Sequence, residues 1–313
     1  MVERFAVAGH FTIARGAKRH VDVVSCEASA DGLTGRGEGT PIYYRGETAQ
    51  GCVAAIAAWS PHADRARLVA ELPPGAARNA LDCALWDLAA QREGVPLWQL
   101  AGLPEPVAVA TAYTVSLDSP AAMEQAARAA AARGFALLKC KLAGDGDDLA
   151  RVAAVHRGAP LARLTIDANE SWAAIDIAAE TAALAALGVE MVEQPLPAGA
   201  DGALHGLRTA LPLCADESCH TAADLATVAQ RYRAVNVKLD KAGGLTAGLA
   251  LARAARELGL DLMLGCMLST SRAIRFALPL APLARWVDLD GAALLAEDRP
   301  GGLRYESGAI LPD

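Results

Sequence analysis

The sequence predicts an α/β protein: a (β/α)7β modified TIM barrel that lacks its last helix, with a small α+β unit in front of it. Three observations predict this fold. From residue 106 onward, short apolar strands alternate with Ala-rich helical segments. Their polar ends at Lys141, Asp167, Glu193, Asp216, Lys238, Gly265 and Asp288 recur in steps of about 22 to 27 residues, near the length of one βα unit. The first third follows another plan, strands and then helices, which marks a small separate unit. At 313 residues the chain has room for both.

In the first unit, residues 1–105, the opening 40 residues alternate as strands do, most clearly in Val21-Asp22-Val23-Val24-Ser25-Cys26-Glu27. A polar, basic turn, Arg15-Gly16-Ala17-Lys18-Arg19-His20, separates two such runs, and Gly35-Arg36-Gly37-Glu38-Gly39 reads as a tight, mobile connection. Helical patterns follow over 47–59 and 76–92, the second with Ala80, Leu81, Ala84, Leu85 and Leu88 on one stripe. Pro73-Pro74-Gly75 divides them, Gly94 ends the second, and Pro104-Glu105-Pro106 marks the boundary. In the barrel unit, residues 106–291, strands are expected over 107–115, 136–142, 163–167, 189–193, 213–216, 234–239, 261–264 and 286–289. Helices are expected over 119–133, 147–157, 173–186, 202–210, 221–231, 245–258 and 271–279, and the tail, 292–313, returns to the capping domain. A doubly wound open sheet is the alternative, but no Gly-x-Gly-x-x-Gly follows the first strand.

Composition narrows the function. The net charge is −7, from 29 basic and 36 acidic residues, and no Lys/Arg cluster calls for nucleic acid or an anionic membrane. No apolar run approaches the roughly 20 residues of a membrane span, and residues 1–20 lack a signal-peptide core. Seven cysteines show no zinc spacing, since the closest pair, Cys214 and Cys219, has four intervening residues, and they read as small buried hydrophobes of a reducing cytoplasm. A homo-oligomer is compatible with this composition.

Asp167, Glu193 and Asp216 end three successive strands, so they would sit side by side at the barrel mouth and repel one another unless a cation lies between them. A single such acid could be a helix N-cap; three on neighbouring strands point to a metal. Oxygen ligands without His or Cys favour Mg²⁺, one per subunit. Lys139 and Lys141 are two apart and share a face that on a barrel strand points inward, where lysine needs a reason to be. Lys238 repeats the pattern on strand six, sharing its face with Asn236 and Asp240; Lys241 reads as a loop lysine. Strands two and six are diametrically opposed, so Lys141 and Lys238 would approach a bound molecule from its two faces. The ion would acidify the α-proton of a carboxylate and depress a lysine pKa, letting one lysine remove a proton and the other return one from the far side. That arrangement inverts a stereocentre.

The segments Lys139-Cys140-Lys141, Asp167-Ala168-Asn169-Glu170-Ser171-Trp172, Val192-Glu193-Gln194-Pro195, Ala215-Asp216-Glu217-Ser218 and Asn236-Val237-Lys238-Leu239-Asp240-Lys241-Ala242-Gly243-Gly244 resemble the enolase superfamily, in its muconate-lactonizing-enzyme-like subgroup, and within it the dipeptide epimerases. The pairing of a lysine base with Mg²⁺ is known for that superfamily. The resemblance spans essentially the whole chain. It implies Asp167, Glu193 and Asp216 as metal ligands, Lys141 and Lys238 as the acid/base pair, Lys139 as a neighbour tuning Lys141, and Asn169 and Asn236 as supports of the ligands. Val287-Asp288-Leu289-Asp290-Gly291 carries two acids on one face that want a cation, and resembles the Asp-x-Asp with which dipeptide epimerases hold a substrate ammonium. Arg15, Lys18 and Arg19 form a cationic patch suited to a second substrate carboxylate, and Arg15 resembles the family's lid arginine. Ser116, Met267 and Ser269 are candidate pocket walls; Tyr43 and Tyr44 receive no role, and His220 reads as a neighbour of a helix start.

The expected activity is Mg²⁺-dependent epimerisation of a dipeptide at its C-terminal residue, with L-Ala-D/L-Glu favoured, and the resemblance implies peptide recycling from the cell wall. Cycloisomerase, succinylbenzoate synthase or N-acylamino acid racemase activity on the same scaffold is the alternative. A Schiff-base aldolase would leave the three acids unexplained, and a non-catalytic barrel would leave the filled polar positions unexplained.

Overall fold

The computed structural model describes residues 1–59 and 64–312. Three antiparallel strands open the chain: β1 (Val2–Ile13), β2 (Gly16–Ala30) and β3 (Leu33–Gly39). The basic turn is tighter than the sequence suggested. Ile13 pairs with Gly16, so only Ala14 and Arg15 form the tip, and Ala17 to His20 already belong to β2. Helices α1 (Ala49–Ala58), α2 (Arg65–Glu71), α3 (Ala76–Glu93) and α4 (Leu97–Leu100) complete the cap. Thr48 and Asp64 cap the first two through their side chains, and Gly94 ends α3 at φ 65°.

The glycine segment expected to be mobile is β3. A Cβ on Gly35, Gly37 or Gly39 would collide with the carbonyl oxygens of Ala84, Ala80 and Ala76 in turn. Alternate glycines of a strand therefore meet every fourth residue of α3, and the backbones touch. The feature is close packing, not freedom.

After β4 (Val109–Ala110), the barrel strands are β5 (Tyr113–Val115), β6 (Leu137–Lys141), β7 (Arg163–Asp167), β8 (Val189–Glu193), β9 (Leu213–Ala215), β10 (Ala234–Val237), β11 (Asp261–Gly265) and β12 (Trp286–Asp288), parallel and in sequential order. Ala112 N donates to Val287 O at 2.7 Å across the seam between first and last strands. The expected first strand, 107–115, is thus two pieces, because β4 pairs with the C-terminal hairpin of β13 (Arg304–Glu306) and β14 (Ala309–Leu311). The tail behaves accordingly. Its start touches the cap, with Ala296 N donating to Ala6 O and Ala8 N to Leu294 O, but its end joins β4 beneath the barrel.

Helices α5 (Pro120–Ala132), α6 (Asp148–Gly158), α7 (Ile177–Ala186), α8 (Leu225–Val228), α9 (Leu239–Ala242), α10 (Leu245–Glu257) and α11 (Ser271–Ala277) separate the strands. Over 202–210 only a 3-10 turn, Asp201–Leu204, forms, since Gly206 takes φ 74° and Pro212 follows. Outward residues such as Leu138, Cys140, Leu164 and Ile166 join the main core, while Leu137, Met191, Cys214, Met263 and Trp286 plug the lower lumen. That plug leaves only the upper end of the barrel open for chemistry. All seven cysteines are free, and among the described residues no helix is long and apolar enough to cross a membrane.

Candidate active site

A cavity of about 300 Å³ lies where the capping hairpin covers the C-terminal ends of the strands. Its floor is made of strand-end residues. Asp167 ends β7, Glu193 ends β8 and Asp216 follows β9; one carboxylate oxygen of each lies within 4.8 Å of the others, and all three residues are buried. The backbone there is strained into place. Asn169, Glu170 and Gln194 take φ of 44°, 69° and 35°, values disfavoured for side-chain-bearing residues. Glu170 N to Gln194 O at 2.8 Å and Trp172 N to Pro195 O at 2.9 Å stitch the two strand ends together. Gln194 Oε1 accepts from Asp216 N at 2.9 Å, fixing the third acid against the second.

The lysines interleave with these acids. Lys141 Nζ donates to Asp167 Oδ2 at 2.6 Å, and Lys238 Nζ to Asp216 Oδ2 at 2.7 Å. Lys141 ends β6 and Lys238 follows β10, four strands apart, so they stand on opposite walls. Lys139 Nζ lies 2.6 Å from Glu193 Oε2, 2.8 Å from Asp288 Oδ2 and 3.3 Å from Asp167 Oδ2. Burial disfavours charge on Asp167, yet Lys141 and Lys139 hold its carboxyl below the usual range; burial likewise opposes Asp216, and Lys238 with Lys241 outweighs it. On Lys238 burial again opposes charge, but Asp216 and Glu193 hold the ammonium well above the ordinary lysine value.

The donors fit Mg²⁺. They are carboxylate oxygens alone, and Glu193 Oε2 and Asp216 Oδ1 face ammonium groups at 2.6 Å but accept no well-aligned hydrogen bond. Burial raises the Glu193 carboxyl above its normal range, as Asp167 does too, so this acid gains most from a cation. Asn236 Nδ2 donates to Glu193 Oε1 at 2.6 Å, and Asn169 N to Asp167 Oδ1 at 2.9 Å; both asparagines are buried.

The remaining sequence candidates divide. Met267, Asp288, Asp290, Arg15 and Lys18 line the cavity. Asp290 Oδ2 accepts from Thr114 N at 2.6 Å, and burial, then Asp288, pushes its carboxyl up to about 7. Arg15 Nη1 donates to Glu170 Oε2 at 2.7 Å, its Nη2 to Glu217 Oε1, and the guanidinium lies 5.2 Å from the Tyr44 ring centre. Tyr43 and Tyr44 both line the cavity. Ser116 does not: its Oγ accepts from Thr12 N at 3.4 Å and it lines a neighbouring cleft, because β5 ends at Val115 and the chain turns outward. Ser269 is buried outside the cavity lining, and Arg19 is exposed on β2. His220 packs edge-on to Tyr44 with ring centres 6.1 Å apart, and burial, with Lys241 nearby, lowers its imidazole to about 4.

Two groups differ from expectation or escaped it. Lys241 is not a loop lysine. The strand stops at Val237, α9 begins, and its fully buried Nζ donates to Asp216 O, Cys219 O and Asn236 O at 2.5, 2.8 and 3.0 Å. The same turn carries Asp240 out of the lumen, where its Oδ1 accepts from Thr40 N and Asn79 Nδ2 of the cap, each at 2.8 Å. Glu217 was passed over beside Asp216. Burial, then Asp216 and Asp167, raises its carboxyl to about 7 against the pull of Arg15. The three-residue spacing from Lys238 to Lys241 was the available signal for the first, and an acid next to a ligand for the second.

Comparison with known proteins agrees with this geometry. Residues 2–102 match the N-terminal domain of the mandelate racemase / muconate lactonizing enzymes, and residues 121–313 match the enolase C-terminal domain-like family. The chain is 47% identical over 305 residues to L-Ala-D/L-Glu epimerase of Escherichia coli (strain K12), covering 96% of this chain and 94% of that one. It is 44% identical over 245 residues to N-acetyl-D-glutamate racemase of a Pseudoalteromonas species, covering 78% and 76%. Among solved structures, an enolase family member from Agrobacterium tumefaciens with homology to dipeptide epimerases, with bound sodium and L-Ala-L-Glu, superposes with TM-score 0.95 at 44% identity over 100% of this chain and 96% of that one. A dipeptide epimerase from Enterococcus faecalis V583 complexed with Mg and L-Leu-L-Tyr gives 0.91 at 29% identity, covering 99% and 95%.

Proposed function

The chain belongs to the mandelate racemase / muconate lactonizing enzyme family of the enolase superfamily, and from that premise we propose that it is a Mg²⁺-dependent dipeptide epimerase acting on L-Ala-D/L-Glu. One observation carries the reading: Lys141 and Lys238 reach the cavity from opposite walls, each hydrogen-bonded to a different acid of a three-carboxylate cluster. Asp167, Glu193 and Asp216 would hold the ion. Bound there, it would neutralise charge developing on a substrate carboxylate and so make the α-proton easier to remove. Lys141 and Lys238 then face the two sides of the α-carbon; one takes its proton and the other delivers one, and the configuration inverts. Lys139 is a bridge among Glu193, Asp288 and Asp167 that keeps these acids from repelling each other. With Asp288 engaged by Lys139, Asp290 is the acid left to receive the substrate ammonium.

The capping domain is assigned residues 1–105, joined by the start of the tail from 292, and the barrel 106–291, with the C-terminal hairpin 304–311 against β4 at its foot. We place the enzyme in the cytoplasm, in the recycling of cell-wall peptides, as the resemblance to its relatives implies; seven free cysteines accord with a reducing compartment. A second reading, racemisation of an N-acylated glutamate, is favoured by the relative that acts on N-acetyl-D-glutamate. Incubating L-Ala-L-Glu and N-acetyl-L-glutamate with enzyme and Mg²⁺ in D₂O separates the two. Deuterium at the glutamate α-carbon of the dipeptide with conversion to L-Ala-D-Glu, abolished by EDTA and restored by Mg²⁺, supports the epimerase. Exchange confined to the N-acetyl compound supports the racemase. In the first case Asp290→Asn should cost the dipeptide roughly tenfold more than the N-acetyl compound, as loss of one charged hydrogen bond would.

A further inference from the structure

We infer that Asp148, a buried acid outside the cavity lining, is the positioning residue for Lys141, so that the two lysines of the site are held by separate anchors. The inference rests on the two-lysine reading and deepens it. Asp148 opens α6, and both of its carboxylate oxygens are fully engaged. Oδ1 accepts from Ala143 N and Arg151 Nη1, each at 3.0 Å, and Oδ2 from Gly144 N and Trp172 Nε1, each at 2.9 Å. Ala143 and Gly144 belong to the turn after Lys141, and Trp172 to the turn after Asp167. One carboxylate thus clamps the turns that follow the two residues whose side chains meet at 2.6 Å.

The chain needs that clamp. Ala143-Gly144-Asp145-Gly146-Asp147 carries glycines at φ of 66° and 94°, and a turn of that composition does not by itself fix the lysine before it. Contact reinforces the hydrogen bonds: a Cβ on Gly144 would lie 2.4 Å from Ser171 O, so the two turns pack backbone against backbone. Arg151 extends the hold to the turn after β5, its Nε donating to Asp118 O at 3.0 Å. Asparagine cannot replace this acid. Whichever way its amide turned, the NH₂ would face two donors, which would lose their acceptor. The turn behind Lys238, across the barrel, is held from the cap instead, where Thr40 N and Asn79 Nδ2 donate to Asp240 Oδ1. Loss of the Asp148 clamp should therefore disturb one wall of the cavity and spare the other.

The test measures α-deuterium exchange in D₂O at saturating Mg²⁺, started separately from L-Ala-L-Glu and L-Ala-D-Glu. Lys141→Ala identifies the enantiomer whose proton Lys141 takes. In Asp148→Asn, exchange of that enantiomer should fall roughly 10- to 100-fold, as misplacing a reacting group by about 1 Å costs. Exchange of the other enantiomer should stay within about threefold of the parent's, which a general loss of structure would not allow. Trp172→Phe removes one donor and keeps most of the ring's bulk. It should slow the same enantiomer by a smaller factor, and it carries the test if Asp148→Asn does not fold. Equal losses for both enantiomers, or no loss for either, overturn the assignment. If the parent exchanges neither dipeptide, the epimerase reading fails by itself. Crystal structures of the parent and the variants then decide about Asp148: Lys141 Nζ displaced from Asp167 with Lys238 still on Asp216 supports the anchor. Both lysines unmoved, or both displaced, sink it.

Discussion

At the ends of the barrel strands each lysine of the site touches a carboxylate, Lys139 three of them, whereas on the capping hairpin Arg15 is paired and Lys18 is not. The floor is a closed electrostatic network on rigid elements, completed by strained backbone at Asn169, Glu170 and Gln194. On its cavity side the hairpin keeps the charge of Lys18 unspent. The contrast teaches where each property of such an enzyme resides. A floor that satisfies itself fixes the kind of reaction, while an unsatisfied group on the cap is free to choose the substrate.

The most drastic way to break the contrast is to empty one wall of the floor. Lys141→Ala or Lys238→Ala should lower epimerisation about 10²- to 10⁴-fold, while α-proton exchange of one enantiomer survives through the remaining lysine. Proton NMR in D₂O, started separately from L-Ala-L-Glu and L-Ala-D-Glu, reads both quantities; a variant that epimerises at the parental rate removes the two-lysine scheme. A change within the cap should act on stability instead of chemistry. Gly37→Ala forces a methyl group into the Ala80 carbonyl and should destabilise the protein by about 1 to 3 kcal/mol, as overpacking does. Thermal melts would show it, and an unchanged Tm would mean that strand and helix separate at no cost.

The smallest effect lies at the seam. Burial holds the Asp240 carboxyl at about 7, far above the ordinary 3.8, so on folding the group binds a proton between those pH values. Its favourable contribution is complete below about pH 4 and is lost as pH rises to 7. Asp240→Asn keeps the acceptor for Thr40 and Asn79 but cannot ionise. The variant's Tm relative to the parent should therefore increase between pH 5 and 8; a constant difference would show that Asp240 is ionised throughout.

Much of the floor was legible because strand ends repeat. A carboxylate or lysine closing a short apolar run every 22 to 27 residues identifies itself, and β7 and β8 fell on their expected residues. Reading failed where the chain changes direction. Lys241 and Asp240 follow a strand that stops earlier than its apolar run, and one turn of helix sends them to opposite sides. Ser116 was expected at the cavity wall because it follows the first strand, but beyond Val115 the chain turns outward. The glycines of β3 were read as a mobile connection because their meaning lies in a helix some 40 residues later, which no local pattern displays. Pairing was equally hidden: Arg15 and Lys18 look alike in sequence, and only the positions of Glu170 and Glu217 tell them apart.

Helix α3 turns that close packing into a ruler. One of its sides rests on β3 through Ala76, Ala80 and Ala84. The other holds the chain just behind Lys238: Arg78 donates to Ala242 O and Gly243 O at 2.5 and 3.1 Å, and Asp82 accepts from Thr246 N at 2.9 Å. Because β3 is continuous with the hairpin through β2, one rigid rod sets the span from the tip that greets the substrate to the amine that works on it. Anything that thickens or thins that rod would alter turnover and selectivity together, without altering a single side chain in the cavity.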